Sequence, residues 1–223
     1  MQDFQRAFIE FALQNQVLRF GEFTLKSGRR SPYFFNSGLF NSGARLSRLG
    51  DFYAQAIVAS GIKYDMLFGP AYKGIPLASA AAISLALRYD KDVPFGFDRK
   101  EAKAHGEGGR TLGAPLTGQV LIIDDVISAG TSVNAAIALI RAAHAIPVGV
   151  MIALDRQERG YSPTAVEDRG ERSAIEEVEQ NHGLRVMSLI TLDHLIEYLQ
   201  GSPAMAKDLE RIKTYRALYG VKG

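Results

Sequence analysis

The stretch Val120 to Ser132, VLIIDDVISAGTS, leaves few folds open to this chain. Its apolar run, Val120 to Ile123, predicts a short buried strand. Two adjacent carboxylates, Asp124 and Asp125, fall where that strand ends. The small-residue turn Ser128-Ala129-Gly130-Thr131-Ser132 follows, and Val133, Ala136, Ile137 and Ile140 then recur at helical spacing. In a parallel α/β sheet, ligands bind beyond the carboxyl ends of the strands. A turn that opens a helix presents unpaired backbone N–H groups, so it suits a phosphate. Carboxylates beside it would repel phosphate, but they fit neutral hydroxyls of the same ligand. The stretch therefore points to a phosphorylated sugar. Either half alone is ordinary, since acids often begin solvated turns and Ser or Thr commonly caps helices.

The rest of the composition narrows the class. At 223 residues the chain can build one sizeable core, with or without a small appended subdomain. A formal net charge of +2 is too small to argue for a nucleic-acid surface, and no basic stripe or helix-turn-helix appears. With no cysteine there is no disulfide, thiolate metal site or thiol nucleophile, which fits a reducing cytoplasmic setting. The N-terminal MQDFQRAFIEFALQ lacks the basic-then-apolar pattern of a signal peptide, and no run approaches membrane-spanning length.

Taken in order, Asp3 caps a first helix whose stripe is Phe4, Ala7, Phe8, Phe11 and Ala12. Val17 to Asn36 predicts two strands joined by a turn at Gly28. On that unit Lys26 reads as a solvated group and Phe34-Phe35 as core unless other signals intervene. A helix over Arg45 to Ser60 and a strand over Tyr64 to Phe68 lead to GPAYKGIP. Its glycines and prolines make a rigid turn with Tyr72 and Lys73 at the tip. A helix over Leu77 to Tyr89 and a strand over Val93 to Phe97 follow. DRKEAKAHGEGGRTLGAPLTG then shows neither helical nor strand period, so it reads as a long, glycine-rich lid. Its Arg99, Lys100, Lys103, His105 and Arg110 could meet a polyanion, although Asp98, Glu101 and Glu107 nearly cancel their charge. GEGGRT is neither a dinucleotide fingerprint nor a Walker loop, and no GxxxxGK[ST] occurs.

A further buried strand, Pro147 to Leu154, ends in Asp155-Arg156. The Arg156 fork could grip a planar carboxylate, or pair with Asp155 or Glu158. Gln157 to Gly170 is charged and turn-rich, and reads as solvated. Beyond it come a helix near Ala174 to Asn181, a strand over Leu184 to Ser188, a helix capped by Thr191 and a final helix over Pro203 to Tyr219. Alternating strands and helices from Tyr64 to Leu154 predict a central parallel sheet.

Five segments in this order resemble the orotate phosphoribosyltransferases, a family among the type I phosphoribosyltransferases. They are FTLKSGRRSPYFFNSG, FGPAYKGIP, DRKEAKAHGEGG, VLIIDDVISAGTS and Leu154-Asp155-Arg156. Ser128 departs slightly, because related enzymes often carry threonine there. The resemblance implies an α/β type I phosphoribosyltransferase fold: a central parallel sheet flanked by helices, a small hood and a flexible catalytic loop. It places the hood at about residues 1–40 plus C-terminal elements, and the core at about 45–160, in a single domain. It implies transfer of the phosphoribosyl group of phosphoribosyl pyrophosphate (PRPP) to orotate, releasing pyrophosphate, in pyrimidine biosynthesis. Asp124 and Asp125 would hold the ribose hydroxyls. Val126, Ile127, Ser128, Ala129, Gly130, Thr131 and Ser132 would cradle the 5′-phosphate. Tyr72, Lys73, Arg99, Lys100, Lys103 and His105 would meet the pyrophosphate. Lys26 would serve both substrates, with Phe34, Phe35, Ser128 and Arg156 framing orotate. Mg²⁺ would be held mainly by PRPP and water, without direct protein ligands. A homodimer would share its sites, with Arg99 and Lys103 acting in trans. The DDVISAGTS signature by itself leaves open another base, or a PRPP-binding regulator without catalysis.

Overall fold

In the computed structural model, residues 1–25, 27–103, 109–160 and 171–221 are described, except for the side chains of 100–103 and 109. Eight strands, seven α-helices and two 3₁₀ turns lie along them. α1 (Asp3–Gln14) precedes β1 (Leu18–Thr24) and β2 (Arg30–Phe35), which form a separate antiparallel pair. α2 (Gly43–Ser60), β3 (Met66–Gly69), α3 (Gly74–Tyr89), β4 (Phe95–Lys103), β5 (Gly109–Gly113), β6 (Gln119–Ile123), α4 (Thr131–Ala142) and β7 (Ile146–Asp155) follow. The chain continues through α5 (Ala174–His182), β8 (Arg185–Thr191), α6 (Leu192–Gln200) and α7 (Ala206–Tyr219). The main sheet has the order β5-β4-β3-β6-β7-β8. All its pairings are parallel except β4 with β5.

The central strands are apolar on both faces because helices cover both faces. Side chains alternate along a strand, so β6 feeds two cores. Leu121 and Ile123 join Leu67, Met151 and Ala153 against α2, α3 and α1. Val120 and Ile122 join Phe68, Val150 and Ile152 against Val133, Ala136, Ile137 and Ile140 of α4. The two-stranded sheet is anchored from the other end of the sequence: Tyr33 of β2 meets Tyr215 of α7 edge-on at 6.2 Å. Glu158 and Gly220 form a β-bridge that ties the segment after β7 to the end of α7.

Helix ends follow local chemistry. Ser42 accepts the Arg45 N–H at the start of α2, and Gly61 closes that helix in the left-handed region at φ 66°. Thr191 caps α6, as its sequence predicts. Several boundaries differ from expectation. Gln2, not Asp3, caps α1, through a reciprocal pair with Gln5. α3 starts at Gly74 rather than Leu77, because Pro76 is tolerated in a helix's first turn. The stretch after Phe97 is not without strand structure. β4 runs on to Lys103 and pairs back with β5, so much of the expected loop is a hairpin whose glycines and charges mask its period. The final helix is broken, a 3₁₀ turn at Pro203–Met205 preceding α7. Among the described residues, no helix is long and apolar enough to cross a membrane.

α2 and α3 touch backbone to backbone. A Cβ added at Gly50 would stand 2.5 Å from the Ala80 carbonyl oxygen. Replacing glycine by alanine inside a helix usually gains about 1 kcal/mol. Here the steric clash opposes that gain, and overpacking costs about 1–3 kcal/mol. Gly50→Ala should therefore lower the melting temperature, which calorimetry would read directly; a rise would show that the helices separate freely.

Candidate active site

β3 and β6 are neighbours in register, Phe68 beside Ile122, so the turns after them meet at one sheet edge. Two glycines let the first turn fold tightly. A Cβ on Gly69 would lie 2.2 Å from the Gly74 carbonyl oxygen, and one on Gly74 would lie 2.8 Å from the Ile123 carbonyl oxygen. The turn thus rests directly on the end of β6. Asp98, at the adjoining position on β4, accepts the Ala71 N–H and tethers the turn from the other side. This arrangement brings Lys73 to the acid pair: its Nζ lies 2.6 Å from Asp125 Oδ2.

The two carboxylates are held differently. Asp125 Oδ2 also accepts the Ser37 hydroxyl at 2.5 Å, while Oδ1 accepts the Val126 N–H at 2.9 Å. Asp124 Oδ1 accepts the Asp125 N–H at 2.8 Å, and Oδ2 accepts the Ser132 hydroxyl at 3.0 Å. Both side chains therefore receive hydroxyl donors, the chemistry expected of groups that hold sugar hydroxyls. The fully buried Tyr53 donates its hydroxyl to the Asp124 carbonyl oxygen at 2.7 Å, fixing the backbone beneath the pair. Burial, and then the neighbouring Asp125, push the Asp124 carboxyl up to about 6.

After the acids, Gly130 adopts φ 71°, a left-handed conformation that suits glycine, and α4 begins at Thr131. The first-turn N–H groups of any helix lack partners within it, and they carry the positive end of its dipole. Ser128, Ala129, Thr131 and Ser132 are exposed around this turn, and Val126 and Ile127 are half-buried beside it. Tyr72 stands exposed at the tip of the neighbouring turn.

The expected base-framing residues are divided between the two faces of β2 rather than gathered at one point. Phe34 stacks on Phe23 at 5.4 Å on the two-stranded sheet, with the Arg19 guanidinium over both rings. Phe35 is instead turned to the core, 6.4 Å from Phe8, as a strand neighbour must point the other way. The Arg156 guanidinium lies 4.3 Å over the Tyr33 ring, donates to Ser31 Oγ at 3.2 Å and pairs with Glu158 Oε1 at 2.6 Å. Burial disfavours its charge, yet Tyr33 and Glu158 outweigh burial and hold it above the ordinary arginine value. Of the two pairings open in the sequence, Glu158 is thus the partner.

Arg99 is half-buried on β4, and its Nη1 has no hydrogen-bond partner among the described residues. Lys26 and His105 lie outside the described residues, as do the side chains of Lys100 and Lys103. Sequence reasoning missed Ser37, Tyr53 and Asp98, and it offered Glu158 as a partner of Arg156 without foreseeing its burial. Ser37 and Asp98 sit inside segments singled out above, but nothing in their spacing marks them. Tyr53 reads as helix core, and Glu158 as part of a solvated stretch. In fact Glu158 is only 11% exposed, because α7 and β2 close over it. Among the described residues no group of three acidic or histidine side chains could hold a metal ion.

The chain matches the family described as Phosphoribosyl transferase domain over residues 39–184. A Klebsiella pneumoniae protein named orotate phosphoribosyltransferase is 57% identical over 221 residues, 99% of this chain and 100% of that protein. One of the same name from Edwardsiella ictaluri is 58% identical over 99% of this chain and 100% of its own length. The crystal structure of a Francisella tularensis orotate phosphoribosyltransferase superposes with a TM-score of 0.83 at 45% identity, covering 96% of this chain and 99% of that one.

Protonation of Asp124 would remove an acceptor from the acid pair. Binding of a hydroxyl-bearing sugar phosphate should therefore weaken as pH falls through about 6. The slope approaches about tenfold per pH unit if Asp124 is essential. Phosphate titrates in the same range, so Asp124→Asn is the control. Affinity for PRPP, measured by calorimetry across this range, should lose that component in the variant; identical profiles would remove Asp124 from the site.

Proposed function

The chain belongs to the phosphoribosyl transferase family, and from that premise we propose that it transfers the 5-phosphoribosyl group of PRPP to orotate. The products are orotidine 5′-monophosphate and pyrophosphate, and the reaction serves pyrimidine nucleotide synthesis. The observation that carries this reading is the buried acid pair at the joined ends of β3 and β6. It is already engaged by hydroxyl donors and by Lys73, beside a helix-opening turn.

In this reading Asp124 and Asp125 take the ribose hydroxyls that Ser132 and Ser37 now imitate. The turn from Val126 to Ser132 and the start of α4 take the 5′-phosphate. Tyr72 and Lys73 face the pyrophosphate, joined by Arg99, Lys100, Lys103 and His105. Lys26, Phe34, Ser128 and Arg156 frame orotate, with Arg156 at the carboxylate, and Phe35 supports this strand from the core side. The bond from C1 to the pyrophosphate oxygen breaks, and its electron pair leaves with pyrophosphate. The orotate ring nitrogen then supplies the pair for the new C–N bond, and its N–H proton is released to the departing pyrophosphate or to water. The ribosyl carbon passes through oxocarbenium character, as in glycoside hydrolysis. No protein nucleophile is needed; the residues orient the two substrates, neutralise the departing charge and exclude water. Lys73 pairs with Asp125 before substrate arrives, so it stays poised beside the ribose although its side chain is 57% exposed. Mg²⁺ supplies further positive charge on the leaving group, and this donor set suits an ion carried in by the phosphates, with the acid pair as nearby oxygen groups.

A homodimer with shared sites is part of the same reading. Ile83 and Leu87 project from one face of α3, 58% and 81% exposed. They lie toward the far end of this helix from the turn that carries Lys73, and an exposed apolar ridge of this kind suits a second copy of the chain. Arg99 and Lys103 would then act across the interface, and the enzyme would work in the cytoplasm.

The test is base selectivity. Purified protein with PRPP and Mg²⁺ is offered orotate, uracil, hypoxanthine or adenine, and pyrophosphate release is followed. Release with orotate alone is expected. Release with another base would keep the PRPP site and discard the orotate pocket, and PRPP binding without any release would indicate a regulator.

A further inference from the structure

Glu158 belongs to a buried ionic cluster that the transfer chemistry does not itself use. Its carboxylate pairs with Arg156 at 2.6 Å through Oε1 and with Arg29 at 3.8 Å through Oε2. The Tyr33 hydroxyl donates to Oε1 at 3.2 Å. Arg29 is itself fixed: its guanidinium donates to the Arg159 carbonyl at 2.9 Å and the Gly160 carbonyl at 3.3 Å, and lies 4.8 Å over the Tyr219 ring. Three parts of the chain therefore converge on one carboxylate: β2, the segment after β7, and the end of α7.

One feature points beyond packing. Arg156 is only 18% exposed and is fixed on several sides, by the Tyr33 ring, by Ser31 and by Glu158. An unrestrained arginine side chain would lose rotamer freedom of about 2 kcal/mol when it grips a ligand. Here that ordering is complete before the ligand arrives.

We infer that Glu158 is a positioning residue for recognition of the base: it holds Arg156 in the orientation that receives the carboxylate of orotate. The inference rests on the reading of Arg156 as the carboxylate partner. It assigns to Glu158 an effect on one substrate only, transmitted entirely through Arg156. Glu158 would attract no orotate by itself, since its own charge repels a carboxylate. A purely electrostatic role would therefore predict tighter orotate binding once that charge is removed, and a positioning role predicts the reverse.

Steady-state kinetics of the full chain decide this, using Glu158→Gln, Arg156→Ala and the double variant, each with its melting temperature. Glutamine keeps the shape and an acceptor oxygen, so the fold is retained. The expected result for Glu158→Gln is a rise in the orotate KM of about tenfold, with kcat and the PRPP KM within about twofold of wild type. In the Arg156→Ala background the same change should add no further rise. An unchanged or lower orotate KM in Glu158→Gln, while Arg156→Ala raises it, overturns the inference and leaves the proposed reaction standing. So does a parallel rise of both KM values with a lower melting temperature. An orotate KM indifferent to Arg156→Ala instead overturns the assignment of Arg156, and the inference with it.

Discussion

Asp125 Oδ2 receives a hydroxyl from Ser37 and an ammonium from Lys73, and those donors come from separate parts of the chain. Ser37 follows the two-stranded sheet, Lys73 follows β3, and Asp125 follows β6. A carboxylate this buried is costly unless charged or hydroxyl donors surround it. The donors it needs are those that draw the surrounding segments into place. The geometry of the edge follows from this requirement together with Gly69 and Gly74, which permit the first turn to sit on the Ile123 carbonyl. A side chain at either glycine would push Lys73 away from its partner.

Legibility in the sequence divides along physical lines. The buried strands and the amphipathic helix α4 are readable because apolar periodicity is a local property, and so is the small-residue turn between β6 and α4. The acid pair and Lys73 are readable because their spacing from strand ends fixes where they point. Ser37, Asp98 and the burial of Glu158 are not, because each rests on a partner 27 to 125 residues away in sequence. Short-range patterns carry no record of such contacts. Glu158 is the clearest case. Its neighbours Gln157 and Arg159 are polar and the stretch looks solvated, yet packing of α7 against β2 encloses it. The β4–β5 hairpin fails for a different reason. Gly109 and Gly113 at the ends of β5, and alternating charges along β4, erase the apolar alternation that would announce two strands.

The two clusters of charge balance differently. At the sheet edge two carboxylates outnumber one lysine, and the excess is negative, apt for hydroxyl donors. Around Glu158 two arginines flank one carboxylate, and Arg156 offers the guanidinium donors that suit an acid. A ligand that carries hydroxyls at one end and a carboxylate at the other meets complementary acceptors and donors at the two.

The two-faced β6 has a consequence for how the sheet finds its alignment. Slipping this strand by one residue would exchange Val120 and Ile122 with Leu121 and Ile123. All four are aliphatic, so apolar burial discriminates poorly between the two arrangements. The polar residues that follow do discriminate. A one-residue slip would move Asp124 and Asp125 by about 3.3 Å, separating them from Tyr53, Ser132, Ser37 and Lys73 together. The ligand-binding acids thereby also act as the vernier mark that sets the central strand in its one correct register.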